Sequence, residues 1–179
     1  MRRSDVQVAT LALACLLAAC GTDDDAETVV PPMLTPASAQ VRMVSGADTT
    51  RLLVELATRP DQQALGLMER RHLPDTAGML FLYAKDQPAD AGFWMFRTRI
   101  PLDIAFMDSA GVVRAVHHMV PCPTSIAQGC PTYDPGVPYR AAVEVNAGYL
   151  AAHGLGVGAR MILGDTSRLI SAAPDGERP

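Results

Sequence analysis

Two carboxylates stand where carboxylates are unusual. Asp103 and Glu144 each interrupt an apolar run, residues 102–107 and, apart from Arg140, 139–145. Two carboxyl groups held close together split their pKa values, so that one stays protonated while the other ionises. This is how general acid–base pairs arise. If the two runs form neighbouring strands, Asp103 and Glu144 are the candidate catalytic pair of a hydrolase. The structural alternative takes precedence, because buried charges are normally paired. In it each carboxylate is bonded to Arg99, Arg140, a backbone N–H or the Trp94 indole. Trp94, Asp103, Tyr133 and Asn146 are the candidate ligand-binding residues. Trp94 is the only tryptophan, and on a strand it shares a face with Phe96, opposite Phe93 and Met95. An open Trp94 face would take a peptide or a glycan; a buried one makes Trp94 core, and core is the preferred reading.

Other groups with metal chemistry carry less. His117 and His118 are adjacent, so on a strand they point to opposite faces and do not easily share one ion. Met68, Met79, Met95, Met107 and Met119 offer thioethers of the kind that bind Cu(I). They lack a short Met-x-x-Met cluster and fall in apolar segments, where methionine is common filler. Copper or zinc handling is therefore the third functional reading, and no metal site or cofactor is assigned. No Gly-x-Ser-x-Gly elbow, His-Glu-x-x-His pair or phosphate loop occurs.

The N-terminus is a targeting segment. Arg2 and Arg3 precede an apolar run over residues 6–19, too short to span a bilayer comfortably and the size of a signal-peptide core. The run ends Leu17-Ala18-Ala19-Cys20. This resembles the lipobox of bacterial lipoproteins, and the resemblance implies cleavage before Cys20 and lipidation of its thiol. Two or three acyl chains anchor stably where one does not. Gly21, rather than Asp, follows the cysteine, which leans towards the outer membrane over the inner one. The protein is thus expected in the cell envelope, facing the periplasm and held to a membrane by Cys20.

With Cys20 lipidated and Cys15 removed, Cys122 and Cys130 remain. An even pair in an exported protein reads as a disulfide. The whole chain carries a net charge of −4; loss of Arg2, Arg3 and Asp5 with the signal segment leaves −5. That balance does not attract nucleic acid or anionic lipid, and no nucleic-acid partner is expected. The partners left are an envelope protein, a peptide or a glycan, and the chain is expected to be a monomer.

The elements that position these residues follow from periodicity. Residues 1–19 are signal, 20–39 an acidic and proline-rich linker, 40–165 a single domain and 166–179 a flexible tail. In the domain, residues 41–43 and 51–57 alternate as strands about a turn at 46–48. Thr58 is the expected cap of a helix that begins at Pro60, shows Ala64, Leu65 and Met68 on its apolar side and ends at 73–75. Residues 78–84 and 92–96 read as strands. Residues 102–107 and 112–119 form a hairpin about 108–111, and a proline-rich loop over 120–138 holds the two cysteines. A strand at 139–145, a short helix at 147–153 closed by Gly154 and a last strand at 160–163 complete the domain. The fold class is mainly β, a β-rich α+β domain: a small, mainly antiparallel barrel or sandwich of about eight short strands with two short helices.

Several segments together resemble one family. They are Gly66-Leu67-Met68 with Arg70 and Leu73; Gly78-Met79-Leu80-Phe81; Phe93-Trp94-Met95; Ile100-Pro101-Leu102-Asp103-Ile104 with Phe106; Tyr133; and Glu144-Val145-Asn146-Ala147-Gly148 with Gly154, Val157 and Gly158. In this order they are similar to the "domain of unknown function 192" family over residues 40–165. The resemblance implies a compact, β-rich, often exported domain and no established activity. Many members carry Lys-Asn-Thr where this chain has Phe96-Arg97-Thr98, so any role of that polar pair does not transfer. The leading expectation is a lipid-anchored, non-catalytic binding or accessory module. The runner-up is the Asp103–Glu144 hydrolase.

Overall fold

The computed structural model describes residues 37–124 and 126–164. Cys20, the signal segment, the linker through residue 36 and the tail from 165 lie outside them.

The elements run β1 (Ser38–Ser45), β2 (Asp48–Ala57), α1 (Pro60–Leu65), β3 (Ala77–Gln87), β4 (Phe93–Trp94), β5 (Leu102–Met107), β6 (Val113–Met119), β7 (Thr132–Tyr133), β8 (Tyr139–Asn146), α2 (Tyr149–Ala152) and β9 (Arg160–Leu163). Seven strands form one sheet in the order β6-β5-β8-β3-β2-β1-β9, and β4 and β7 form a small second sheet. The large sheet curls into a half-barrel. Its two edge strands touch at one end, where Val112 bridges Arg160 and Val113 N–H donates to the Ala159 carbonyl. Gly111 makes that approach possible: at φ +75° it lies so close to β9 that a Cβ would sit 2.5 Å from the Met161 carbonyl oxygen.

All pairs in the large sheet are antiparallel except β2–β3. The single parallel pair needs a crossover, which α1 and residues 66–76 supply. Both faces of the sheet are apolar. Val41, Leu52, Leu80, Ala105, Val113, Val143 and Met161 fill the concave side, to which all seven strands contribute. Met79, Phe81, Ile104, Phe106 and Ala142 lie on the outer side, under Leu67, Leu73, Phe93 and Met95. This two-sided burial explains why every residue of β5 is buried, where the sequence alternation alone marks one face as core.

Three local expectations are corrected. Helix α1 stops at Leu65 because Gly66 takes φ +50°, so Leu65 is half exposed and Leu67 and Leu73, in the following turns, enter the core instead. Its N-terminus is satisfied by Gln62, whose Oε1 accepts the Thr58 and Arg59 N–H groups, not by Thr58. The strand expected over 92–96 is confined to Phe93–Trp94, because Met95 turns inward and Arg97 takes φ +56°. The 102–119 hairpin is as expected, with Asp108 Oδ1 accepting Ala110 and Val112 N–H across its turn.

Candidate functional site

Strand register decides what the carboxylates can do. Asp103 lies opposite Val145 on β8 and His118 on β6, whereas Glu144 lies opposite Ile104 and Met79. Cross-strand partners share a face, so Asp103 points to the concave side and Glu144 to the outer side. The strands are neighbours, as the pair hypothesis requires, but the two carboxyl groups lie on opposite sides of the sheet and do not share a site.

Asp103 holds the end of the half-barrel together. Its Oδ2 accepts the Leu150 N–H of α2 at 3.3 Å, and its Oδ1 meets His118 Nδ1 at 3.0 Å. The carboxylate oxygen accepts, so the histidine proton is on Nδ1, and Nε2 of this largely exposed ring is left as the second nitrogen. The arginines expected near the carboxylates are engaged elsewhere, Arg99 with Glu69 and Arg140 with Asp86.

Helix α2, fixed in this way, separates two clefts. Gly148 at φ +81° turns the chain into it. Tyr149 and His153 lie one turn apart and stack with ring centroids 4.0 Å apart. His153 Nδ1 donates to the Tyr149 carbonyl at 2.8 Å, which leaves Nε2 as an acceptor. The Tyr149 hydroxyl meets Thr50 Oγ1 at 3.3 Å. On one side, Asp48, Thr49, Thr50, His153 and Leu155 line a cleft of about 340 Å³. On the other, Asp75, Asn146, Tyr149 and His153 line one of about 310 Å³. Asn146 ties the walls of the second cleft, its Nδ2 donating to the Leu73 and Pro74 carbonyls. Residues bearing hydroxyl and carboxylate groups therefore line the clefts on the two sides of His153, a lining suited to hydrogen-bonded recognition.

The remaining candidates disperse. Glu144 is buried, and its Oε2 has no hydrogen-bond partner. Burial pushes its pKa up to about 8, so it is a neutral acid at neutral pH. Trp94 is 43 % exposed, not core. Tyr133 pairs with Phe93, so it faces inward, away from Trp94, and its hydroxyl accepts Val120 N–H. His117 donates from Nε2 to the Asp134 carbonyl and packs edge-on to Phe106, on the side opposite His118. Met79, Met95, Met107 and Met119 are buried among apolar side chains. Among the described residues no group of three or more His, Cys, Asp or Glu side chains is placed to hold a metal. Cys122 and Cys130 are joined in a disulfide, with Cα atoms 5.5 Å apart.

Of the sequence candidates, then, Asn146 lines a cleft and Asp103 supports the helix between them. Tyr149 and His153 are the cleft residues that sequence reasoning overlooked. Their i,i+4 spacing was the available signal, weakened by a predicted helix too short to suggest a functional face.

Comparison with known proteins places the chain. No curated protein matches it. Two solved structures are similar along most of the domain. One is described as a candidate transcription regulator from Sinorhizobium meliloti: 33 % identity, TM-score 0.65, covering 72 % of this chain and 95 % of that one. The other is a protein of unknown function from Novosphingobium aromaticivorans: 30 % identity, TM-score 0.60, covering 70 % and 84 %. A family model described as "Uncharacterized ACR" matches residues 41–163, from β1 to β9. The chain belongs to the domain of unknown function 192 family.

Proposed function

We propose that this protein is a lipid-anchored envelope protein whose single β-rich domain is a non-catalytic binding or accessory module. One observation carries the non-catalytic part: the register that sends Asp103 and Glu144 to opposite faces. Asp103 is committed to α2 and His118, and Glu144 is sealed in the outer apolar layer. The clefts beside Tyr149 and His153 are the recognition surface, sized for a peptide side chain or a sugar. The anchor is supported by the lipobox-like sequence before Cys20.

A role on DNA, which the description of the Sinorhizobium relative raises, finds no electrostatic support. Residues 37–164 contain eleven arginines and lysines against eleven aspartates and glutamates, and phosphate binding draws on cationic excess. Purified protein screened against envelope peptides and glycans should bind one class through the clefts, with His153→Ala weakening it. Turnover in a broad hydrolase screen that Asp103→Asn abolishes would refute the proposal.

One contact favours a second reading. The Asp103–His118 pair has the geometry by which a carboxylate orients a histidine general base. Turnover lost in His118→Gln with the fold intact would establish that reading in place of the first.

A further inference from the structure

The two hairpins of the large sheet use their aspartates differently. At the β5–β6 turn, Asp108 is committed to the fold: Oδ1 accepts the Ala110 and Val112 N–H groups, and Oδ2 pairs with Arg114. At the β1–β2 turn, Asp48 has no such task. Its carboxylate meets no hydrogen-bond donor and no cation among the described residues. It lines the larger cleft beside α2, together with Thr50, His153 and Leu155. A second unengaged acceptor belongs to the same lining. His153 Nδ1 donates to the Tyr149 carbonyl, so Nε2 is a bare nitrogen. The Thr50 hydroxyl is engaged with that of Tyr149. The unengaged groups of Asp48 and His153 are therefore both acceptors, and a ligand held by them must bring the donors.

Register sets the sign of the charge there. Met43 pairs with Thr50 and Met161, and Ser45 with Asp48. Cross-strand partners share a face, so Asp48 and Thr50 lie on the concave side with the buried Met43. Arg42 pairs with Arg51, and Arg160 with Val44. These positions alternate with the concave set, so the cations of β1, β2 and β9 all lie on the opposite side. Residues 147–159, which include α2, contain no Asp, Glu, Lys or Arg. The cleft thus carries one negative charge that no side chain of the surrounding elements offsets. The smaller cleft differs, because Arg71 and His72 are exposed on the segment that bears its Asp75.

The apolar residues of the lining are Met43, Ala152 and Leu155, in a cleft of about 340 Å³. An alkyl stem lies along such residues while its charged head reaches a polar partner. A lysine side chain has this form, and its ammonium offers three donors and no acceptor. A sugar ring brings acceptors as well as donors, and Asp48 and His153 offer it only acceptors in return. We infer that the cleft between the β1–β2 turn and α2 takes a lysine-type side chain of an envelope peptide. Asp48 and His153 hold its ammonium, and its stem lies on Met43, Ala152 and Leu155. This rests on the recognition reading proposed above and names the ligand chemistry of one of its clefts.

The test titrates the full protein, purified in detergent, with the tripeptide Gly-Lys-Gly, acetylated and amidated at its ends. The same peptide with norleucine in place of lysine is the uncharged counterpart, and amide chemical shifts report the site. The lysine peptide should shift residues 48–50 and 153–155. It should bind about fivefold more tightly than the norleucine peptide, the upper range for an exposed ion pair. That preference should shrink as salt is raised and vanish in Asp48→Asn, whose spectrum away from the cleft reports an intact fold. Equal binding of the two peptides at these residues overturns the ammonium assignment and leaves the cleft a recognition site. So does a preference that survives in Asp48→Asn. Glucosamine or a neutral disaccharide shifting these residues where the lysine peptide does not overturns the choice of a peptide. If no peptide or glycan of the wider screen shifts them, the recognition reading itself fails.

Discussion

Replacing Glu144 by glutamine tests the packing reasoning most directly. Glu144 is fully enclosed in the outer apolar layer, and burial raises its pKa from 4.5 to about 8. Below about pH 4.5 the carboxyl is protonated in both the folded and unfolded chains and does not alter the balance between them. Between that pH and about 8, the unfolded chain ionises it while the folded chain keeps it neutral, so stability falls as pH rises. Each pH unit in this window costs about 1.4 kcal/mol. From pH 5 to pH 7 the loss attributable to Glu144 is therefore about 3 kcal/mol, or roughly 10 °C in Tm for a domain of this size. Glutamine keeps the shape and cannot ionise. Its amide lacks a partner in the same place, as the wild-type acid does, so the exchange costs little while the acid is neutral in both folded and unfolded chains. Glu144→Gln should thus be close to wild type in stability near pH 5 and become the more stable of the two as pH approaches 8. Urea unfolding of both proteins at a series of pH values measures this. Parallel stability–pH curves would show that Glu144 is not buried as a neutral acid and would refute the argument.

Other perturbations follow from single contacts. Asp103→Ala leaves the Leu150 N–H without its acceptor. It should cost about 1–3 kcal/mol and raise amide exchange across α2 more than elsewhere. Removing the Cys122–Cys130 link with Cys→Ser at both positions should cost roughly 2–3 kcal/mol for a loop this short, and thiol labelling of the native, unreduced protein should find neither cysteine. Gly111→Ala places a methyl group 2.5 Å from the Met161 carbonyl at φ +75°. It should destabilise by more than the roughly 1 kcal/mol expected of an unstrained Gly/Ala exchange, and calorimetry would show this as a lowered Tm.

Much of the fold was legible because its signals are local. The alternation in residues 102–119 and the Asp108–Gly111 turn define the β5–β6 hairpin without help from the rest of the chain. Gly154 closes α2 where a C′ glycine should. The pairing of β2 with β3 in parallel was not legible, because a crossover is set by what packs over it. The length of α1 was misread for the same reason: Gln62 and Leu67 are buried by the layer they cover, against the helical period that favoured Leu65.

By itself the sequence determined the order of the strands other than β7, which lies inside the expected 120–138 loop, together with the family and the pairing of Cys122 with Cys130, since each depends on neighbours along the chain or on a count of cysteines. It also brought Asp103 and Glu144 forward, because carboxylates inside apolar runs are conspicuous. Only the tertiary structure decided which face each one takes. A strand register is a relation between two distant segments, and a shift of one residue exchanges inside for outside. The same relation brings Tyr149 and His153 between two clefts and leaves Trp94 on the surface.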